Sequence, residues 1–220
     1  ICANIFFTAY LATDNSSQET TQRAAAIAAE LGANHRYINF NHIVKSYKGL
    51  ASEVLGKEAK FEVEGGSKSV DLCLQNIQAR NRMAITYMLA QLELSTRNLP
   101  GFLLVVSSSN LDESLRGYLT KYDCSSGDIN PIGSLSKTAL KNYLKWNARN
   151  GIKFVDSVLN AEPTAELTPL KAGKVAQNDE QDMGVTYAEL KLFGEIRKID
   201  KLGPVSMFER VRRIKKDLTA

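Results

Sequence analysis

Apolar positions along this chain follow two alternating rhythms, which together predict a layered α/β domain. Residues 5–10 are a short apolar run, and the polar turn Asp14-Asn-Ser-Ser17 behind them marks the end of a buried strand. Residues 20–31 carry Ala24, Ile27, Ala28 and Leu31 at helical spacing, with Gly32 as the stop. Residues 35–40 read as the next strand and residues 41–55 as a helix closed by Gly56. Strand, helix, strand at this pace is the pattern of a parallel sheet with crossover helices.

The polar stretch 56–69, with Gly65-Gly66, reads as a loop. The longest periodic segment follows at residues 72–94, where Leu74, Ile77, Ala84, Ile85, Met88, Leu89 and Leu92 form a broad apolar stripe. Pro100-Gly101 then turns the chain into residues 102–106, five apolar residues that read as a central strand buried on both faces. Further helices are predicted at 136–146, with Ser136 as cap, and at 185–199 and 205–218. A loop with two prolines spans 160–179. The expected fold is a doubly wound, Rossmann-like parallel α/β sheet with additional C-terminal helices. Residues 1–220 form one domain, and 180–220 are a candidate helical extension.

Composition narrows the function classes. Hydrophobic residues at 44% indicate an ordinary folded core. Three scattered cysteines and two histidines support neither a disulfide framework nor a structural zinc site, and the odd cysteine count points to a reducing, cytoplasmic setting. No apolar stretch approaches a membrane span, and no signal-peptide pattern opens the chain. The net charge of +4 is concentrated at the end, where residues 191–220 hold nine basic against four acidic side chains. That cluster reads as a solvated helix face or as an anion-steering surface. Without helix-turn-helix or zinc-finger spacing it gives no case for nucleic acid.

The segment following the central-strand candidate is the richest in chemistry. Asp112, Glu113, Asp123 and Asp128 lie there with Arg116, Lys121 and Lys137, just past a strand's carboxyl end, where doubly wound sheets bind ligands. Carboxylates in that place suit Mg²⁺, and Lys137 suits phosphate oxygens; a set of solvated surface charges explains them equally. Asn76 and Arg80, four residues apart, share a helix face suited to a ribose or phosphate, or to plain solvation. Ser16, Ser17, Glu19 and Thr20 make a helix-capping pattern. Neither a Gly-x-x-x-x-Gly-Lys-Ser/Thr nor a Gly-x-Gly-x-x-Gly string occurs.

The run Ser107-Ser-Ser-Asn-Leu-Asp-Glu-Ser-Leu-Arg-Gly-Tyr-Leu-Thr-Lys-Tyr-Asp-Cys-Ser-Ser-Gly-Asp-Ile-Asn-Pro-Ile-Gly133 closely resembles the signature of eukaryotic-type, glutamine-dependent NAD⁺ synthetases. So do Asn15-Ser-Ser-Gln-Glu-Thr20, Leu74-Gln-Asn-Ile-Gln-Ala-Arg80, Pro163-Thr-Ala-Glu-Leu167, Asp179-Glu-Gln-Asp-Met-Gly-Val-Thr-Tyr-Ala-Glu-Leu190 and Gly203-Pro-Val-Ser-Met-Phe208, in the family's order. The resemblance implies the fold of the adenine nucleotide alpha-hydrolase superfamily. It also implies ATP- and Mg²⁺-dependent adenylation of the nicotinate carboxylate of deamido-NAD⁺, with loss of pyrophosphate. Ammonia then displaces AMP to give NAD⁺; a glutaminase domain outside this chain supplies it, and the assemblies are homo-oligomers.

By the same resemblance, Glu113 is the Mg²⁺ ligand, and Glu113 and Lys137 are the catalytic pair. Ser108, Arg82, Lys137 and Thr164 lie toward ATP. Asn76, Arg80, Tyr118 and Asp128 lie toward deamido-NAD⁺, with Tyr118 as the ring-stacking aromatic. The family's Ser-Gly-Gly-x-Asp-Ser phosphate loop is not found in this sequence, nor is a long segment after Phe208. The expectation is therefore a synthetase domain truncated at both ends, with an open seam in its sheet. The alternative is a catalytically incomplete module that docks with an intact synthetase.

Overall fold

The computed structural model describes residues 2–161, 163–170 and 178–217. A single turn, α1 (Cys2–Ile5), leads into β1 (Phe7–Ala12), two residues later than the apolar run alone indicates. Helix α2 (Gln18–Leu31) starts at Ser17, whose hydroxyl accepts the Thr20 amide. It stops at Gly32, whose left-handed φ of 62° suits a residue without a β-carbon. The chain returns as β2 (Asn34–Asn39), parallel to β1 in unbroken register from Phe7 against Asn34 to Ala12 against Asn39. Tyr10 and Tyr37, opposite each other, stack at 6.2 Å.

Helix α3 (Asn41–Leu55) follows directly from the fully buried Phe40. The loop after Gly56 includes one 3₁₀ turn before α4 (Lys68–Leu92), capped by Ser67. Over its 25 residues α4 serves as the backbone of the domain. One side gives Ile85 to a core cluster with Leu11, Phe40 and Val44. The other gives Met83 and Ala90 to a second cluster with Val105. This two-sided service accounts for the breadth of the apolar stripe in the sequence.

Beyond α4 the structure corrects the sequence expectation. Residues 102–106 run extended but are not a central strand: their one bridge is Val106 to Ile129. Only Val105 of the five is fully buried, whereas Phe102, Leu104 and Val106 stand more than half exposed. The physical reason is the lack of a neighbour. A strand becomes a strand through its partner's ladder, and a cleft of about 800 Å³ separates this segment from the β1 edge.

The remaining helices are α5 (Leu111–Arg116), α6 (Lys137–Arg149), α7 (Val155–Leu159), α8 (Asp179–Met183), α9 (Tyr187–Lys198) and α10 (Pro204–Asp217). Helix α9 packs on α5 so closely that a β-carbon on Gly194 would lie 3.1 Å from Leu115 Cδ1. Met183, Tyr187 and Leu190 form the third core cluster, against Tyr118. Helix α10 ties back to α9 through Lys215 and Glu189 at 2.9 Å. Part of the 160–179 loop lies outside the described residues.

Candidate active site

Helix α5 opens on a reciprocal cap. Asn110 accepts the amides of Asp112 and Glu113 on its side-chain oxygen. Glu113 accepts the Asn110 backbone amide at 3.0 Å and its side-chain amide at 2.7 Å. The buried Asp112 then reaches across to α6, taking the Lys137 amide on Oδ2 at 2.7 Å, while the Leu111 amide donates to the Leu135 carbonyl. Two helix N-termini are thus fixed to each other. Lys137 emerges with its ammonium 3.8 Å from Glu113 Oε1 and 5.1 Å over the Tyr187 ring. Asp112 Oδ1 is buried without a partner.

The α8–α9 segment closes this pair from the far side. The Tyr187 hydroxyl lies 3.3 Å from Asp179 Oδ2 and 3.4 Å from Glu113 Oε1. The Tyr118 hydroxyl reaches Asp179 Oδ1 at 3.3 Å and Asp182 at 3.1 Å. Burial pushes the Asp179 carboxyl above the usual carboxylate range, against the attraction of Lys137. Both phenols are pushed well above their ordinary value, first by burial and then by Asp179. They therefore stay protonated and can act as hydrogen-bond donors.

The other candidates divide between two further places. Asn76 Oδ1 accepts the Thr120 hydroxyl at 2.7 Å, and Arg80 Nε donates to the Lys121 carbonyl at 3.0 Å, so this α4 face holds the loop after Tyr118. Asp128 braces the underside of the 102–106 segment, accepting the Val105 amide at 2.8 Å and the Tyr87 hydroxyl at 3.2 Å. Arg82, Ser108 and Thr164 line the cleft beside β1. Arg82 donates to the carbonyls of Ala165 at 2.9 Å and Glu166 at 3.4 Å. Its Nε is buried without a partner, and burial lowers its pKa.

The structure thus joins Glu113, Lys137 and Tyr118 in one group, Arg82, Ser108 and Thr164 in a second, and Asn76 with Arg80 in a third. Sequence reasoning singled out neither Asp179, Tyr187 and Glu166 nor the organising role of Asp112. The first three lie inside motif strings already notable, but only the fold shows which side chain of each string turns inward.

A Mg²⁺ ion typically takes one or two protein carboxylates and completes its octahedron with phosphate and water. Glu113 has the chemistry for one such ligand: its carboxylate is mostly buried, with the Lys137 ammonium 3.8 Å away. No group of three or more metal-binding side chains occurs among the described residues. Neither does any helix long and apolar enough to cross a membrane.

A parallel α/β frame with polar groups gathered at strand and helix ends is that of a Rossmann-like nucleotide-binding type of domain. The NAD synthase family profile matches residues 2–202, and the chain belongs to that family. It is 51% identical over 209 residues to the glutamine-dependent NAD(+) synthetase of Bos taurus and 50% identical to that of Homo sapiens, covering 94% of this chain and 30% of each relative. The chain therefore spans about a third of the length of these curated relatives. Among solved structures, a glutamine-dependent NAD(+) synthetase from Cytophaga hutchinsonii superposes with a TM-score of 0.69 at 24% identity, over 93% of this chain and 29% of that one. NMN synthetase from Francisella tularensis gives 0.66 at 23%, over 94% and 71%. At these identities the structures establish the fold.

Proposed function

We propose that this domain carries the synthetase half-site of an NAD⁺ synthetase, in which ATP adenylates the carboxylate of deamido-NAD⁺ and ammonia then displaces AMP. The observation that carries the proposal is the Glu113–Lys137 pair, held between two helix N-termini and covered by Tyr187 and Asp179. Such a pair meets the needs of phosphoryl oxygens: a fixed cation on one side and a metal-holding carboxylate on the other. In this reading Lys137 neutralises the pyrophosphate as it leaves. Glu113 would hold Mg²⁺, which when bound supplies Lewis-acid charge stabilisation to the triphosphate.

Arg82, Ser108 and Thr164 then serve the ATP side from the cleft. Asn76, Arg80, Tyr118 and Asp128 serve deamido-NAD⁺ from α4 and its attached loop. The relatives named above are glutamine-dependent, which supports ammonia derived from glutamine as the nitrogen source. A cytoplasmic homo-oligomer completes the reading we propose.

Calorimetric titration of the chain with ATP and with deamido-NAD⁺ in Mg²⁺ buffer tests the reading. Saturable binding of both is expected. Lys137→Ala should weaken ATP at least tenfold, and Asn76→Ala should weaken deamido-NAD⁺. A folded chain that binds neither ligand overturns the proposal in favour of a docking module.

A further inference from the structure

Glu166 is the most heavily hydrogen-bonded side chain of the cleft, although nothing in the site just described uses it. Its carboxylate is buried and meets four donors from the β1–α2 corner. These are the Ser17 hydroxyl at 2.8 Å, the Ser17 amide at 3.3 Å, the Thr20 hydroxyl at 2.9 Å and the Tyr10 hydroxyl at 3.1 Å. None of these donors is a cation. The negative charge rests at the N-terminus of α2, where helix amides and their dipole favour it. Glu166 also holds a left-handed φ of 50°, which a long side chain adopts only where its surroundings fix it.

The same short segment is gripped again on its backbone. Arg82 of α4 donates to the carbonyls of residues 165 and 166. The Leu167 carbonyl accepts from Asn15 at 3.0 Å and from Gln78, fully buried, at 2.8 Å. Side chain and main chain are thus anchored to two different elements, β1–α2 and α4. Thr164 lies two residues ahead of the anchor, its hydroxyl accepting the Glu166 amide at 3.3 Å and lining the cleft with Arg82 and Ser108.

We infer that Glu166 is a positioning residue: a latch that clamps residues 163–167 across the mouth of the cleft so that Thr164 and Arg82 present their polar groups to one nucleotide phosphate. The inference rests on the nucleotide reading above but concerns a residue that touches no ligand in it. Glutamine in place of Glu166 keeps the shape but removes the charge and turns one acceptor into a donor. Of the four groups facing it, the Ser17 amide can only donate and opposes that new donor, whereas the three hydroxyls can turn to accept from it. Aspartate keeps the charge on a side chain one methylene shorter.

The test compares the parent chain with Glu166→Gln, Glu166→Asp and Tyr10→Phe, reading ATP and deamido-NAD⁺ affinities by calorimetry and amide hydrogen exchange at 163–167. Glu166→Gln should weaken ATP by about tenfold or more, leave deamido-NAD⁺ within twofold and raise exchange across the segment, with Glu166→Asp recovering part of the loss. Tyr10→Phe, which removes one donor of four, should weaken ATP about two- to fivefold and serves if Glu166→Gln does not fold. ATP affinity unchanged in folded variants, or equal losses for both ligands, overturns the latch. If the parent chain binds no ATP, the nucleotide reading falls. Unchanged exchange at 163–167 in Glu166→Gln then overturns the latch as well.

Discussion

Residues 7–12 and residues 102–106 are both short apolar runs beside the same helix, yet only the first is a paired strand. β1 has β2 along its whole length, with Leu11 buried against Phe40, Val44 and Ile85 beneath it. The 102–106 segment has one bridge at Val106 and its own small cluster through Val105, with the cleft along its open side. Apolarity states what a segment would bury; only a neighbouring edge with free amides and carbonyls makes it a strand. A strand's stability therefore belongs to the pair.

Four experiments would break or sharpen that contrast. Phe40→Ala, in the paired half, empties the site of a fully buried ring and should cost about 3–5 kcal/mol in denaturant unfolding. A loss under 1 kcal/mol would show that this half is no core. Gly127→Ala probes the seam under the open half, where a β-carbon would fall 2.7 Å from the Val105 carbonyl. Backbone must move, so a loss of about 1–3 kcal/mol is expected by the same assay.

The Arg36–Glu93 pair, joining β2 to the end of α4, gives a pH-dependent version. Hydrogen bonding from Arg36 holds the Glu93 carboxyl below its usual range, against the opposing effect of burial. Its contribution is therefore complete above the unfolded value near ~4.3 and is lost as pH falls through the lower folded value. Thermal melts from pH 6 downward should show a steeper acid loss for the parent than for Glu93→Gln. Parallel curves would remove Glu93 from the account. The smallest effect is expected for Leu104→Ser on the open segment: with the residue 63% exposed, the change should stay within about 0.5 kcal/mol.

The paired half was legible because its signals are local. Ser17 caps α2, Gly32 ends it, and the 41–55 helix falls where the periodicity placed it. The 102–106 segment was misread because its missing neighbour is a non-local fact that no window of residues contains. The site divides the same way. Glu113, Lys137, Asn76 and Arg80 stood out through resemblance and helical spacing, and the fold puts the first two side by side. Tyr187 meets Glu113, and Asp179 joins them through Tyr187, only because the α8–α9 segment packs on α5 from more than sixty residues away. Glu166 reaches Ser17 across 149 residues, a contact that no local pattern announces.

Helix α4 has a consequence for spacing. Asn76, Arg80 and Arg82 stand on one rigid rod in which each residue advances ~1.5 Å, so Arg80 and Arg82 are separated along the axis by ~3 Å. Arg80 serves the loop after Tyr118 and Arg82 serves the cleft. The rod acts as a ruler between the two groups: it fixes the spacing of the points to which the 118–123 loop and residues 163–167 are fastened.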